Sequence, residues 1–465
     1  MTITTINTPI LPTKQVFAKK PNTLHELDFE AICVFVATGF FMGADTFWKD
    51  TLCLLPGHDH ELDAAGYLIQ STPNFTWHHT PQELSFEQSL EAYIDLLTTI
   101  TKEQVGDEPV ILPLSGGLDS RSQALVLKDL PNQVHAFSYS FEGGYPEHLI
   151  STQIAKVCGF AFDGFHIPKG YLWDRIEELA AINGCYSEFT HPRQMAVLPQ
   201  LKKMKGVFSL GHWGDVFFDR GAPEGSTEAD MVPLLFKKMV KPKGLELAEK
   251  LWQHWSLEGD FKSYLISRIE RDLADIKIDN VSAKVRAYKT SQWAHRWTTT
   301  NLSVFEAAHP ITLPYYDNRM CEFVCTTPEA YLADRRLQLA HLQQDKKLAQ
   351  ITWHAQRPFN LLNYQYNKAP YNLPYRIFNK LQREVTGFLG KPYIQRNWEL
   401  QFLGTENAKH LESHLFDDEF NHWIPQTIIK EVYQDFKHGD AVASSHAVSM
   451  LLCLSVWYQN NITAL

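Results

Sequence analysis

The hydrophobic pattern changes character twice along the chain. Up to residue 84 it is turn-rich, with apolar patches at 31–42 and 51–55. A helical period then begins. Ser85 and Gln88 form a capping-box pattern, and Leu90, Tyr93, Ile94 and Leu97 fall on one face. From about 106 to 222, short apolar runs alternate with amphipathic stretches. Runs 110–114, 134–141, 162–167 and 206–210 read as strands; 120–128 and 147–157 read as helices. Such alternation predicts an α/β fold with a parallel sheet and helices on both faces. Beyond about 227 the pattern is mostly helical, with helical spacing at 245–255, 264–276 and 287–297. The expected units are 1–84, 85–225 and 226–465, the second boundary falling in the glycine- and proline-rich stretch 220–227.

Composition narrows the function classes. Among 465 residues, 43 Lys and Arg against 53 Asp and Glu give a formal charge of −10. That balance disfavours a nucleic-acid partner, which needs clustered cations. Seven cysteines, with no CxxC pair, read as reduced structural thiols. Cys321 and Cys325 lie one helical turn apart without a second pair nearby, and His58 and His60 have no distant partner. Both sets are weak metal candidates. The polar, proline-broken start reads as no secretory signal. Stretch 31–42 is interrupted by Thr38 and Gly39 and is too short to span a bilayer, and 446–457 reads as a buried helix. A cytoplasmic chain without a membrane partner is expected.

The most informative stretch is Ser115-Gly116-Gly117-Leu118-Asp119-Ser120-Arg121. A strand ends near Leu114 and a helix starts at once. Two glycines allow a tight turn whose amides, with the helix N-terminus, bind an anion. Ser115 and Ser120 add hydroxyls. Asp119 would repel phosphate unless a cation lies between them, so it reads as a Mg²⁺ ligand. A glycine turn with a capping aspartate is the plain alternative. Pro113 removes a donor from what should be a central strand.

The SGGLDSR string resembles the pyrophosphatase loop of the asparagine synthetase family, which includes asparagine synthetases, β-lactam synthetases and lasso-peptide cyclases. A second segment, Leu210-Gly211-His212-Trp213-Gly214-Asp215-Val216-Phe217, is similar to that family's second pyrophosphate loop. Here Trp213 replaces a glycine, Val216 a glutamate, and His212 stands where a glutamate or tyrosine is usual. A third, Asn367-Lys368-Ala369-Pro370, resembles the segment carrying the family's catalytic lysine. Leu313–Phe323 resembles a further family segment, with Thr312 where arginine is usual. There Glu306 matches an acidic position only with an insertion, and Asp317 reads as a helix cap. Lys347-Leu348-Ala349 resembles a Lys-x-x-Leu-Arg helix without its arginine.

The resemblance, from about 85 to 375, implies an adenine nucleotide alpha hydrolase-like PP-loop core followed by a helical region. It implies ATP and Mg²⁺ as cofactors, with Asp119 and Asp215 on the metal. ATP would meet Leu114, Ser115, Gly116, Gly117, Ser120, Phe137, Ser138, Tyr139, Leu210 and Gly211. Lys368 would be catalytic, and His212 is a candidate general base, its ordinary pKa being near neutrality. Residues 1–84 look like the last part of a glutaminase domain, so a glutaminase-independent ligase is expected. Thr2 has no surrounding fold to make it a nucleophile. The implied reaction adenylates a small-molecule or peptide carboxylate and lets an amine attack, in natural-product or modified-peptide synthesis. Ammonia-dependent amidation and a nucleotide-binding protein without chemistry are the alternatives. Homo-oligomerisation is left open.

Overall fold

The computed structural model describes residues 3–390 and 392–463; Thr2 lies outside them. Five parallel strands form the central sheet: β1 Val110–Pro113, β2 Val134–Phe141, β3 Ala161–Ile167, β4 Val207–Ser209 and β5 Ile311–Thr312. Their order is β5-β4-β1-β2-β3. The chain runs outward from β1 through β2 to β3, then returns to place β4 on the other side of β1. That reversal opens a crevice beyond the carboxyl ends of β1 and β4, where ligands of such sheets sit.

Pro113 is tolerated because of where the pairing stops. Val110 N and Leu114 N donate to Gln133 O and Phe137 O across the β1–β2 ladder. Odd positions therefore face β4, and β4 pairs only with Val110 and Ile111. The proline ring sits past the last rung and lines the crevice.

The helices follow the apolar period. Phe86–Val105 has the Ser85–Gln88 capping box and buries Tyr93 and Leu97. Asp119–Lys128 and His148–Cys158 cover the sheet. The helical spacing at 287–297 resolves differently: Val281–Lys289 is α-helical, and Thr290–Thr298 continues as a π-helix. Such wide turns mark functional sites more often than ordinary helix does.

One hydrophobic cluster runs across the expected boundaries at 84 and 225. The Phe29–Thr38 helix is buried from Ala31 onward and packs with the Pro242–His254 and Ala441–Tyr458 helices. The segment Ala441–Ile462 has the length and hydropathy of a membrane span, yet 72% of its window is buried inside the protein. His58 and His60 lie on an antiparallel strand, where His60 Nε2 meets Leu55 O at 2.9 Å. All seven cysteines are free and buried, and no metal-binding group of three or more His, Cys, Asp or Glu side chains occurs among the described residues.

Buried histidines make the fold acid-sensitive. Burial pushes His191 and His295 down to about 3, and His212, His341 and His446 down to about 4, from 6.5. Below pH 6.5 the unfolded chain takes up protons that these five do not accept when folded. Stability therefore falls with pH, by about 1.4 kcal/mol per pH unit for each proton of difference. Asp119 and Asp272 act oppositely. Burial raises both to about 6, so the folded state binds their protons first. Five groups outweigh two. The thermal unfolding midpoint should fall between pH 7.5 and 5; a flat or rising midpoint would contradict this balance.

Candidate active site

Both sequence-identified loops reach one cavity of about 840 Å³ at the β1–β4 crevice. Ser115, Asp119 and Ser120 line it from the first loop; Leu210, Gly211, His212, Trp213 and Asp215 line it from the second. Two contacts bring the loops together. Gln123 Nε2 donates to Leu210 O at 2.8 Å. Gly214 packs so closely that a Cβ there would lie 2.5 Å from Asp119 Oδ1, so only glycine fits.

The first loop is internally braced. Ser115 N donates to Ser120 Oγ at 3.0 Å, and Gly117 N to Ser115 Oγ at 3.2 Å. Gly116 N donates to Glu147 Oε1 at 3.1 Å. A Cβ on Gly116 would sit 2.6 Å from His354 Cβ, which accounts for glycine there. Arg121, the last residue of the motif, turns away from the cavity. It holds the backbone carbonyls of Gly116, Leu348, Ile351 and Thr352.

The two carboxylates differ in their surroundings. Asp119 Oδ1 accepts from Arg335 and, at 2.8 Å, from Gln338 Nε2. Asp334 and Arg335 both hold left-handed φ angles, 56° and 61°, an uncommon pair for non-glycine residues that aims Arg335 at the site. Gln338 is steadied by the Tyr315 hydroxyl at 3.2 Å. Both donors use Oδ1, so Oδ2 has no hydrogen-bond partner among the described residues. The Asp215 carboxylate has no hydrogen bond or ion pair among them. Burial pushes Asp119 up to about 6; Arg335 opposes this and the Asp215 charge adds to it. Two carboxylates whose charges repel, with free oxygens facing one cavity, suit a Mg²⁺ ion that completes its shell with phosphate and water.

Trp213 occupies the position where a glycine was expected from the family resemblance. Its φ is 76°, the left-handed region, so the backbone there still has a glycine's conformation. The indole Nε1 donates to Thr290 Oγ1 at 3.1 Å, and the ring lines the cavity. His212 also lines it. Burial pushes its pKa down to about 4, partly offset by Asp215, and its buried Nδ1 has no partner among the described residues. The ring is neutral at pH 7 and free to accept a hydrogen bond.

Other sequence-identified residues lie elsewhere. Tyr139 lines the cavity, but Leu114, Gly116, Gly117 and Ser138 do not. Phe137 is fully buried against Phe165 and Phe208, and its carbonyl is used by Leu114 N. Lys368 is exposed, on the segment after the Tyr364–Tyr366 turn, and is not part of the cavity wall. Glu306 pairs with Lys14 at 3.6 Å, while its neighbour Phe305 faces the cavity. Asp317 caps the Asn318–Thr326 helix.

Sequence reasoning missed a cationic and aromatic wall. Arg193, Lys238 and Lys289 line the cavity, together with Trp293 and Trp297 from the π-helical turn. Nothing in the local pattern distinguishes these cations from solvated helix residues. Only the wide turn after Lys289 carries a structural signal. Burial and the nearby Lys238 push Lys289 down to about 8.

No curated protein matches the chain. The asparagine synthase family model matches residues 92–458, which include both loops, the sheet and the helical region beyond. With an α/β fold built on a five-stranded parallel sheet and a helical C-terminal region, the chain belongs to the asparagine synthase family, whose members are ATP-using carbon–nitrogen ligases.

Proposed function

We propose that this chain is an AMP- and pyrophosphate-forming amide ligase that works without a glutaminase, in natural-product or modified-peptide synthesis. One observation carries the reading: Asp119 and Asp215, from separate loops, share one cavity at the sheet's switch point. Mg²⁺ held by these carboxylates would neutralise charge on the nucleotide phosphates. Arg335 and Gln338 fix the Asp119 carboxylate by one oxygen and leave the other for the ion. Ser115 and Ser120 present hydroxyls beside it. A substrate carboxylate attacks the α-phosphorus and pyrophosphate leaves; an amine then attacks the acyl carbon of the acyl-adenylate and AMP leaves. Neutral His212 would accept a hydrogen bond from the attacking amine; with its pKa pushed down to about 4 it would pass the proton on to water rather than keep it. The indole rings and Phe305 suit an acid with an apolar body, and Arg193 suits a polar end.

Lys368 joins this scheme only through movement of its exposed segment toward the cavity. Its position favours a second reading, a nucleotide-binding protein without chemistry. Labelled ATP, Mg²⁺ and a panel of carboxylates with amines, ammonium included, should yield AMP in step with amide. Tight ATP binding with no AMP across the panel would replace the first reading by the second.

A further inference from the structure

The ligase reading accounts for the two loops but not for the opposite wall. Lys289 ends the Val281–Lys289 helix where the chain widens into the π-helix. It is 9% exposed and lines the cavity. Among the described residues it makes no hydrogen bond and no ion pair. Lys238, on the Glu228–Met239 helix, is exposed and lines the same cavity. The charges that act on Lys289 are Lys238, Asp215, Arg286 and Asp219. Of these, Arg286 is already neutralised by Glu329.

A largely buried lysine whose ammonium meets only the cavity is poorly solvated, and an anion in the cavity completes it. The choice of anion follows from the surroundings. Asp215, a candidate metal ligand, acts on Lys289 electrostatically, so an anion that arrives with the metal reaches both. The first loop leaves room for this role, because the amides of Ser115, Gly116 and Gly117 already donate to side chains. Lys368 is not in the wall.

Resting on the ligase reading, we infer that Lys289, assisted by Lys238, binds the β- and γ-phosphates of the nucleotide and the pyrophosphate that leaves. AMP carries neither phosphate and does not use this subsite.

Calorimetric titration of the whole chain with Mg²⁺-pyrophosphate, Mg²⁺-ATP and AMP tests it. Lys289→Met should weaken pyrophosphate and ATP binding by about tenfold or more, the usual scale of a lost charged hydrogen bond, and leave AMP binding unchanged. Lys238→Ala should weaken pyrophosphate binding by about threefold, a smaller effect because the side chain is exposed. Lys237→Ala, an exposed neighbour outside the cavity wall, should match the wild type. If Lys289→Met fails to fold, Lys238→Ala decides alone, because its side chain is on the surface. Wild-type pyrophosphate affinity in both variants overturns the subsite and leaves the ligase reading standing. So does equal loss of AMP and pyrophosphate binding in Lys289→Met. A wild-type chain that binds neither ATP nor pyrophosphate overturns both.

Discussion

Asp215→Asn should lower AMP release by about 10²–10³-fold while leaving the ligand-free protein about as heat-stable as the wild type. On the proposed function Asp215 holds the metal, so loss of its charge removes several kcal/mol of charge stabilisation, and each 1.4 kcal/mol is tenfold in rate. Stability responds differently because the Asp215 carboxylate has no hydrogen bond or ion pair among the described residues. Its charge adds to the burial that raises Asp119 and attracts Lys289, so the two effects largely offset. Asparagine conserves the shape and ends both. Activity kinetics and differential scanning calorimetry on the same preparation read the two effects. A variant that turns over normally would show that Asp215 has no part in the chemistry, whatever its place in the cavity. A variant that loses activity and melts far earlier would make the residue a structural one.

Such unequal effects are the signature of a site held ready for a ligand. Repulsion between two carboxylates, an unpaired lysine and a tryptophan in a glycine's conformation are each unfavourable in isolation. They gather around one crevice. Charged groups elsewhere are paired more simply, as Lys128 is with Asp345 at 2.6 Å.

How much of this was legible beforehand depended on the range of the interaction. The sheet and its crossover helices were readable because strand and helix periods are local. Ser85 and Gln88 announced their helix, and Asp317 its cap. The two glycine-bearing loops at the crevice stood out because glycine is used where neighbours crowd the backbone, as His354 does at Gly116 and Asp119 and Tyr315 do at Gly214. Nothing local announced Arg335. Its role rests on a left-handed turn and on Asp119, which is 216 positions away in the chain. Lys289 was equally hidden, since a lysine on an amphipathic helix is ordinarily solvated. The Phe29–Thr38 helix buries its apolar residues against helices from the far end of the chain, a contact that no local period announces. Pro113 looked like a fault in a central strand because the early end of β4 pairing could not be seen from the sequence.

Arg121→Met should cost about 2–4 kcal/mol of unfolding free energy, the largest stability loss of any single change discussed for this chain. Replacing a buried charge by an apolar side chain is often harmless when its partner is a single carboxylate that can also be removed. Arg121 has no such partner. It is fully buried, and its guanidinium donates at 3.4, 3.1, 3.3 and 2.8 Å to the carbonyls of Leu348, Ile351, Gly116 and Thr352. Burial pulls its pKa down to about 10, so it stays charged at neutral pH. Methionine would fill the volume but leave those backbone acceptors without their donor, at about 1–3 kcal/mol for each one left unsatisfied. Gly116 O and Leu348 O are spared, because His354 N and Ile351 N also donate to them at 3.0 and 3.2 Å, which leaves the carbonyls of Ile351 and Thr352. The relief of desolvating no charge offsets part of the remainder, which is why the expectation falls below the simple sum. Urea unfolding of the variant gives the number. A loss under about 1 kcal/mol would mean that these carbonyls find other donors. The clamp between the 115–121 loop and residues 348–352 would then contribute little to the stability of the site.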